Sequence, residues 1–352
     1  MSANAHDWLK GSPVQSATGG VAASPFSVRF GNRIVDHDMV RFVVGASLFL
    51  LFLLLTILRP PVDLLLSNLS LHHTVHIVRV KNSDGLVEHL KAMDLWEVYP
   101  GTEVPPVVFT HFPDDLSRLD LTEKKRAFLH TLLPVAMVAN AEVEQERAAL
   151  LAVLEKLGDC DLDLLMAAKG DGRDCPLNKS EIYFLQQLSD KYRATQVSEL
   201  LRRVDVVPVS LVLAQGALES SWGASRFAAE GNNLFGVWTW GTAGMVPLRR
   251  ERGKQHLVAM YDSILDSARS YLLMINRQAA YRDLRLLRER TMDSLVLAGG
   301  LRRYSERRED YVMELQGFIQ QNRLQRYDDC VLSASMSTSR GGRLFRLASL
   351  AE

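Results

Sequence analysis

The chain has 352 residues, enough for one large domain or two ordinary ones, and its 47% hydrophobic and 23% charged composition is that of a globular protein with a buried core. The 41 basic and 41 acidic residues cancel, which argues against nucleic acid as a partner, because phosphate binding leaves a basic excess. A neutral glycan remains open as a ligand.

Residues 1–41 are rich in Gly, Ser and Ala without hydrophobic periodicity and read as a disordered cytoplasmic tail. Residues 42–58, FVVGASLFLLFLLLTIL, hold no charge and are bracketed by Arg41 and Arg59. This is the short end for a spanning helix, since a bilayer core needs about 20 apolar residues and about 17 at least, and the flanking arginines can snorkel. A buried core helix would keep a polar face. A cleaved signal would need a small-x-small site where this chain has Arg59-Pro60-Pro61. The segment therefore reads as an uncleaved transmembrane signal anchor. Arg29, Arg33 and Arg41 precede it and only Arg59 follows closely, so the positive-inside rule puts the N-terminus in the cytoplasm. Everything after Leu58 is then expected in the periplasm, tethered to the inner membrane.

Residues 59–121 read as an extracytoplasmic linker region. It has strand-like pieces at His76–Val80 and Pro105–Phe109 and a short helix within Leu86–Leu95. A helical domain is expected over 122–330. It starts at Thr122, with an apolar face of Phe128, Leu132, Leu133, Val135, Ala136 and Ala139, and a kink is expected at Pro134. Helix continues over Glu142–Leu157, and further helices are predicted at Glu181–Tyr192 and Gln196–Val204. Residues 331–352 read as a loose Ser- and Arg-rich tail. Of the three cysteines, none forms a C-x-x-C pair. They stand as free thiols, or, outside the cytosol, as a Cys160–Cys175 disulfide with Cys330 left over. The histidines show no metal pattern, and neither metal nor cofactor is expected.

The informative stretch is Pro208–Gly236, PVSLVLAQGALESSWGASRFAAEGNNLFG. Pro208 suits a first helical turn, and Leu211, Ala214, Leu218 and Trp222 repeat at helical spacing as one buried stripe. Gly223 is placed to stop the helix, and a short helix over Ala224–Glu230 ends at Gly231. Glu219 lies beside the stripe. A carboxyl among apolar side chains is poorly solvated when ionised, so it keeps its proton to higher pH, as a glycosidase acid must. On that pattern alone a solvated surface glutamate is the commoner reading.

Ala217–Gly223 (ALESSWG), Ser225-Arg226-Phe227 and Gly231–Gly236 (GNNLFG) resemble the signature of the bacterial glucosaminidase family. So do Tyr261–Tyr271, Tyr281 and Leu301–Tyr311 downstream. Val104–Val108 and Phe128–Asn140 resemble its Bax-type subgroup. The resemblance covers roughly residues 100–327. It implies a mainly α (α+β), lysozyme-like helical domain with a small β-lobe. It also implies cleavage of β-1,4 bonds after N-acetylglucosamine in peptidoglycan, with Glu219 as general acid.

Val237–Trp240 and Leu257–Tyr261 read as the two strands of the β-lobe, around a charged tip at 249–254. The resemblance implies a second acid in this lobe. Glu251 is the candidate, with a solvated charge ion-paired to its arginine neighbours as the alternative. Asn233, Phe235, Trp238, Trp240 and Tyr304 are the candidate groove residues, because sugars stack on aromatics and acetamido groups need amide partners. Core packing is the alternative for each of these aromatics. Tyr304 corresponds to the family tyrosine that faces the glutamate, within Tyr-Ser-Glu-Arg where many relatives carry Tyr-Ala-Thr-Asp. Tyr261 and Asp262 read as structural. A lytic transglycosylase using the same glutamate, or a silent peptidoglycan-binding scaffold, are the competing functions.

Overall fold

The computed structural model describes residues 29–30, 33–34, 75–156, 176–241, 243–247 and 255–334. The chain divides into two units at Pro60. In the first, Arg29–Phe30 pairs antiparallel with Arg33–Ile34. Residues 42–58, Cys160, Cys175 and Glu251 lie outside the described residues. Among the described residues no helix is long and apolar enough to cross a membrane.

The second unit opens with β1 (His76–Val78) and α1 (Ser83–Ala92), followed by β2 (Glu103–Val104) and β3 (Val107–Phe109). Asn82 caps α1 by accepting from the Gly85 N–H. β1 pairs in parallel with β3. This region was expected to be a linker, and the structure corrects that. Leu86, Leu90, Leu95, Val104, Val107 and Phe109 are fully buried and join the same core as the helices that follow. Their hydrophobicity is too short and irregular to show a period, so the sequence displayed fragments rather than a domain.

α2 (Leu121–Leu154) is the axis of the unit. The Asp120 side chain accepts from the N–H groups of Thr122 and Glu123, satisfying two of the donors a helix start leaves open. At 34 residues it is about 50 Å long, and it runs as one helix through Pro134. Every residue from Ala127 to Asn140 is buried. The predicted apolar face is thus only part of a segment enclosed on all sides. α3 (Lys179–Tyr192) begins in a capping box between Asn178 and Glu181, and α4 (Val197–Arg203) follows.

α5 (Val209–Ser220) and α6 (Arg226–Gly231) lead into β4 (Trp238–Thr239), which pairs antiparallel with β5 (Leu257–Val258). α7 (Ile264–Arg277), α8 (Arg282–Arg288), α9 (Ser294–Ala298) and α10 (Glu309–Gln321) complete the helices. α2 packs on both α5 and α7, and α10 packs on α5. The chain then returns to β2 through β6 (Val331–Leu332), a parallel pairing where a tail was expected from residue 331. The fold is mainly helical with small two-stranded pairings, as the sequence implied. Cys330 is a buried free thiol.

Candidate active site

α5 carries the central carboxyl. It starts at Pro208, which serves as N-cap, and ends at Ser220, earlier than expected. Ser221, Trp222 and Gly223 all take positive φ, at 53°, 61° and 79°. For the two residues with side chains this conformation costs on the order of 1–2 kcal/mol each. The Ser220 hydroxyl offsets part of that cost by donating to the Gly216 carbonyl and accepting from the Gly223 N–H at 2.8 Å. A Cβ on Gly223 would come within 3.4 Å of Phe128 and Leu116, which makes glycine the residue for that place. Trp222 therefore lies past the helix end, edge-on to Phe128 with Lys125 over its ring.

Gly216, just before Ala217, has its own packing reason to be glycine. A Cβ there would sit 2.6 Å from Leu132 and 3.3 Å from Phe235. The missing side chain lets the Phe235 ring lie against α5, where it stacks on Tyr271 at 4.2 Å. Phe235 is 1% exposed and is a core residue, which corrects its placement in the groove. Asn233 is corrected likewise. It is buried, and its amide donates to the carbonyls of Val237 (2.9 Å) and Ala259 (2.8 Å) while accepting from the Val237 N–H. With its donors and acceptor spent on backbone, Asn233 fixes the 232–236 turn to both strands of the β-lobe.

Glu219 is half-buried on the last turn of α5. Its Oε1 accepts from the Tyr311 hydroxyl of α10 at 2.8 Å. Its Oε2 lies 4.0 Å from where a Cβ on Gly236 would be, and Gly236 is exposed at φ 65°. Burial pushes the carboxyl above its ordinary value of 4.5, and the negative charge of Glu314 adds to that. The Tyr311 hydrogen bond and the Arg307 guanidinium pull in the other direction. Arg307 and Glu314 pair at 2.6 Å, and Arg307 lies over the Tyr311 ring.

Behind the carboxyl is a group of tyrosines. Tyr304 stacks on Tyr311 at 5.5 Å, with Tyr281 beside it. Burial raises all of Tyr271, Tyr281, Tyr304 and Tyr311 above the usual tyrosine value, and the charge of Glu219 contributes to each. These phenols are therefore donors and not bases near neutral pH. The Tyr304 hydroxyl donates to the Phe235 carbonyl at 2.7 Å, so the tyrosine that touches the carboxyl is Tyr311 and not Tyr304.

Behind Tyr311, Gln215 donates to its hydroxyl at 2.9 Å and accepts from Tyr271 at 2.5 Å. Sequence reasoning gave no role to Gln215, Tyr271 or Tyr311. Gln215 stands four residues before Glu219, hence on the same helix face, and that spacing is a signal that could have found it. The partnership with Tyr311 is a tertiary contact that no local pattern contains.

On the β-lobe, Trp238 is 53% and Trp240 74% exposed, which answers the groove-or-core alternative in favour of exposure. Trp238 stacks on His256 at 4.3 Å. Tyr261 has the structural role expected. Its hydroxyl donates to Ser270, and its carbonyl accepts from Asn232. Among the described residues no cluster of His, Cys, Asp or Glu could hold a metal ion. The assembled site can present a protonated carboxyl toward an open face, and the β-lobe carries two exposed indole rings.

Residues 194–324 match the model of the glucosaminidase family, described as mannosyl-glycoprotein endo-beta-N-acetylglucosaminidase. The chain is also similar to Protein bax of Escherichia coli (strain K12), at 28% identity over 216 residues, which is 57% of this chain and 70% of that protein. No solved structure matches. The matched segment contains Glu219, Gln215, Gly236, Tyr304 and Tyr311. The chain thus carries, over 194–324, a segment that matches the glucosaminidase family, and it is similar to a Bax-type protein.

Proposed function

We propose that this protein is a peptidoglycan hydrolase that cleaves β-1,4 glycosidic bonds after N-acetylglucosamine, with Glu219 as general acid. The observation that carries the reading is the setting of Glu219. Burial keeps its carboxyl protonated above the ordinary range, and Oε2 faces exposed Gly236, where a glycosidic oxygen can approach. The proton passes from the carboxyl to the leaving oxygen as the C–O bond breaks, and water completes the cleavage. Trp238 and Trp240 supply flat faces for sugar rings on the β-lobe. The lysozyme-like architecture belongs to the same reading.

Glu251, in the charged tip of the β-lobe, is the second carboxylate of this proposal. Its role is tested by Glu251→Gln, which leaves full activity if the substrate's own N-acetyl group assists instead.

The substrate lies outside the cytoplasm, and the 42–58 segment supports an inner-membrane anchor with the domain in the periplasm. Carbonate extraction that releases the protein from membranes would refute the anchor.

The activity is tested by digesting purified peptidoglycan with the full-length chain, wild type beside Glu219→Gln, and weighing the reduced products. Fragments ending in reduced N-acetylglucosamine, lost in the variant, are expected. Products lighter by one water identify a lytic transglycosylase instead. Binding without fragments identifies a silent scaffold.

A further inference from the structure

The chain Tyr271–Gln215–Tyr311–Glu219 has a direction. Tyr271 is fully buried, and among the described residues its hydroxyl has one hydrogen-bond partner, Gln215 Oε1 at 2.5 Å. A buried hydroxyl left without an acceptor loses its hydrogen bond with no water to replace it. The Gln215 amide therefore keeps its oxygen toward Tyr271 and its NH2 toward Tyr311. With that N–H donated to it, the Tyr311 oxygen turns its own proton to Glu219 Oε1. If the amide flipped, the Tyr311 proton would point back at Gln215. The Glu219 proton would then have to sit on Oε1, facing Tyr311 and away from the open side.

The geometry points to Gln215 as a positioning residue: oriented by Tyr271, it commits the Tyr311 proton to Oε1 of Glu219 and so leaves the acid's own proton on Oε2, the oxygen that faces Gly236. This rests on the general-acid reading for its consequence and on the hydrogen bonds alone for the proton's place. The charged groups acting on Glu219 are Arg307 and Glu314, and neither belongs to the relay. The relay fixes geometry within one helix face, because Gln215 and Glu219 are one turn apart on α5.

Infrared difference spectra of the full-length protein test the proton placement without any turnover. The protonated Glu219 C=O band is assigned by its loss in Glu219→Gln. With Oε1 as the carbonyl oxygen accepting from Tyr311, the band lies low, and it moves to higher wavenumber in Tyr311→Phe. The same shift is expected in Tyr271→Phe, which keeps the ring that packs on Phe235. On soluble peptidoglycan fragments Tyr271→Phe lowers kcat about tenfold with KM unchanged, and adds nothing further in a Tyr311→Phe background.

A band unmoved in Tyr271→Phe overturns the proposal, whatever the activity. So does a rate loss that adds in full to that of Tyr311→Phe. Full activity in Glu219→Gln with the band still shifting in Tyr271→Phe would sink the acid reading and support the proton's placement.

Discussion

The Tyr311 hydroxyl donates to Oε1 of Glu219 across 2.8 Å, joining residues 92 positions apart. The bond favours the ionised carboxylate and so works against the burial that raises its pKa. Tyr311→Phe is therefore expected to let Glu219 hold its proton to higher pH. The basic limb of the pH–rate profile moves up, while the maximal rate falls about tenfold as the carboxyl loses its anchor. A limb that moves down would contradict this balance of causes.

Glu219 also makes a prediction about stability. In the unfolded chain the carboxyl ionises around its ordinary 4.5, while in the folded chain it keeps its proton higher. The folded state thus binds more protons in that window, and stability falls as pH rises from about 4.5 through the raised value. Glu219→Gln removes the fall. The variant is expected to melt above the wild type at pH 7 and level with it at pH 3, while losing about a hundredfold or more in activity. Thermal unfolding at the two pH values decides it.

Asn233→Ala is expected to behave as a folding variant. It strands the Val237 N–H and the Ala259 carbonyl, while the Val237 carbonyl keeps the Ala259 N–H. A loss of about 2–4 kcal/mol follows, measured by denaturant unfolding. A stable variant with only a raised KM would return Asn233 to the groove.

Trp238→Ala and Trp240→Ala are expected to show the opposite pattern. Both rings are largely exposed, so stability should stay within about 0.5 kcal/mol. Lost stacking of about 1 kcal/mol each would raise KM about fivefold on soluble glycan fragments.

A chain beginning at residue 122 is expected not to fold. It lacks Leu86, Leu90, Leu95, Val104 and Phe109, each 0% exposed. At about 1.5–3 kcal/mol apiece these side chains match the whole net stability of a domain, about 5–15 kcal/mol. Circular dichroism and limited proteolysis of that fragment check the point.

The helices around the site were legible because their apolar spacing and end signals are local. Glu219 stood out through its neighbours in α5, and the two exposed tryptophans through their place on short strands. Asn233 and Phe235 looked like ligand groups for the same reason they are core residues. An amide and a ring beside a turn serve sugar and backbone equally, and only tertiary contact separates the two. Tyr304 and Tyr311 stand seven residues apart, Tyr304 in a turn and Tyr311 on α10, and the choice between them rests on how α10 packs on α5. The packing of residues 75–121 was illegible because its partners lie far along the chain.

One of those partners is β6. The Ser333 hydroxyl donates to the Val104 carbonyl, a contact spanning 229 positions, and β6 extends β2 in parallel. A nascent chain holds β2 ready long before its ladder mate has been synthesised. Contacts of such long range are closed late and slowly. The domain accordingly reaches its final state only after residue 333 has left the ribosome, and until then β2 lacks its partner strand.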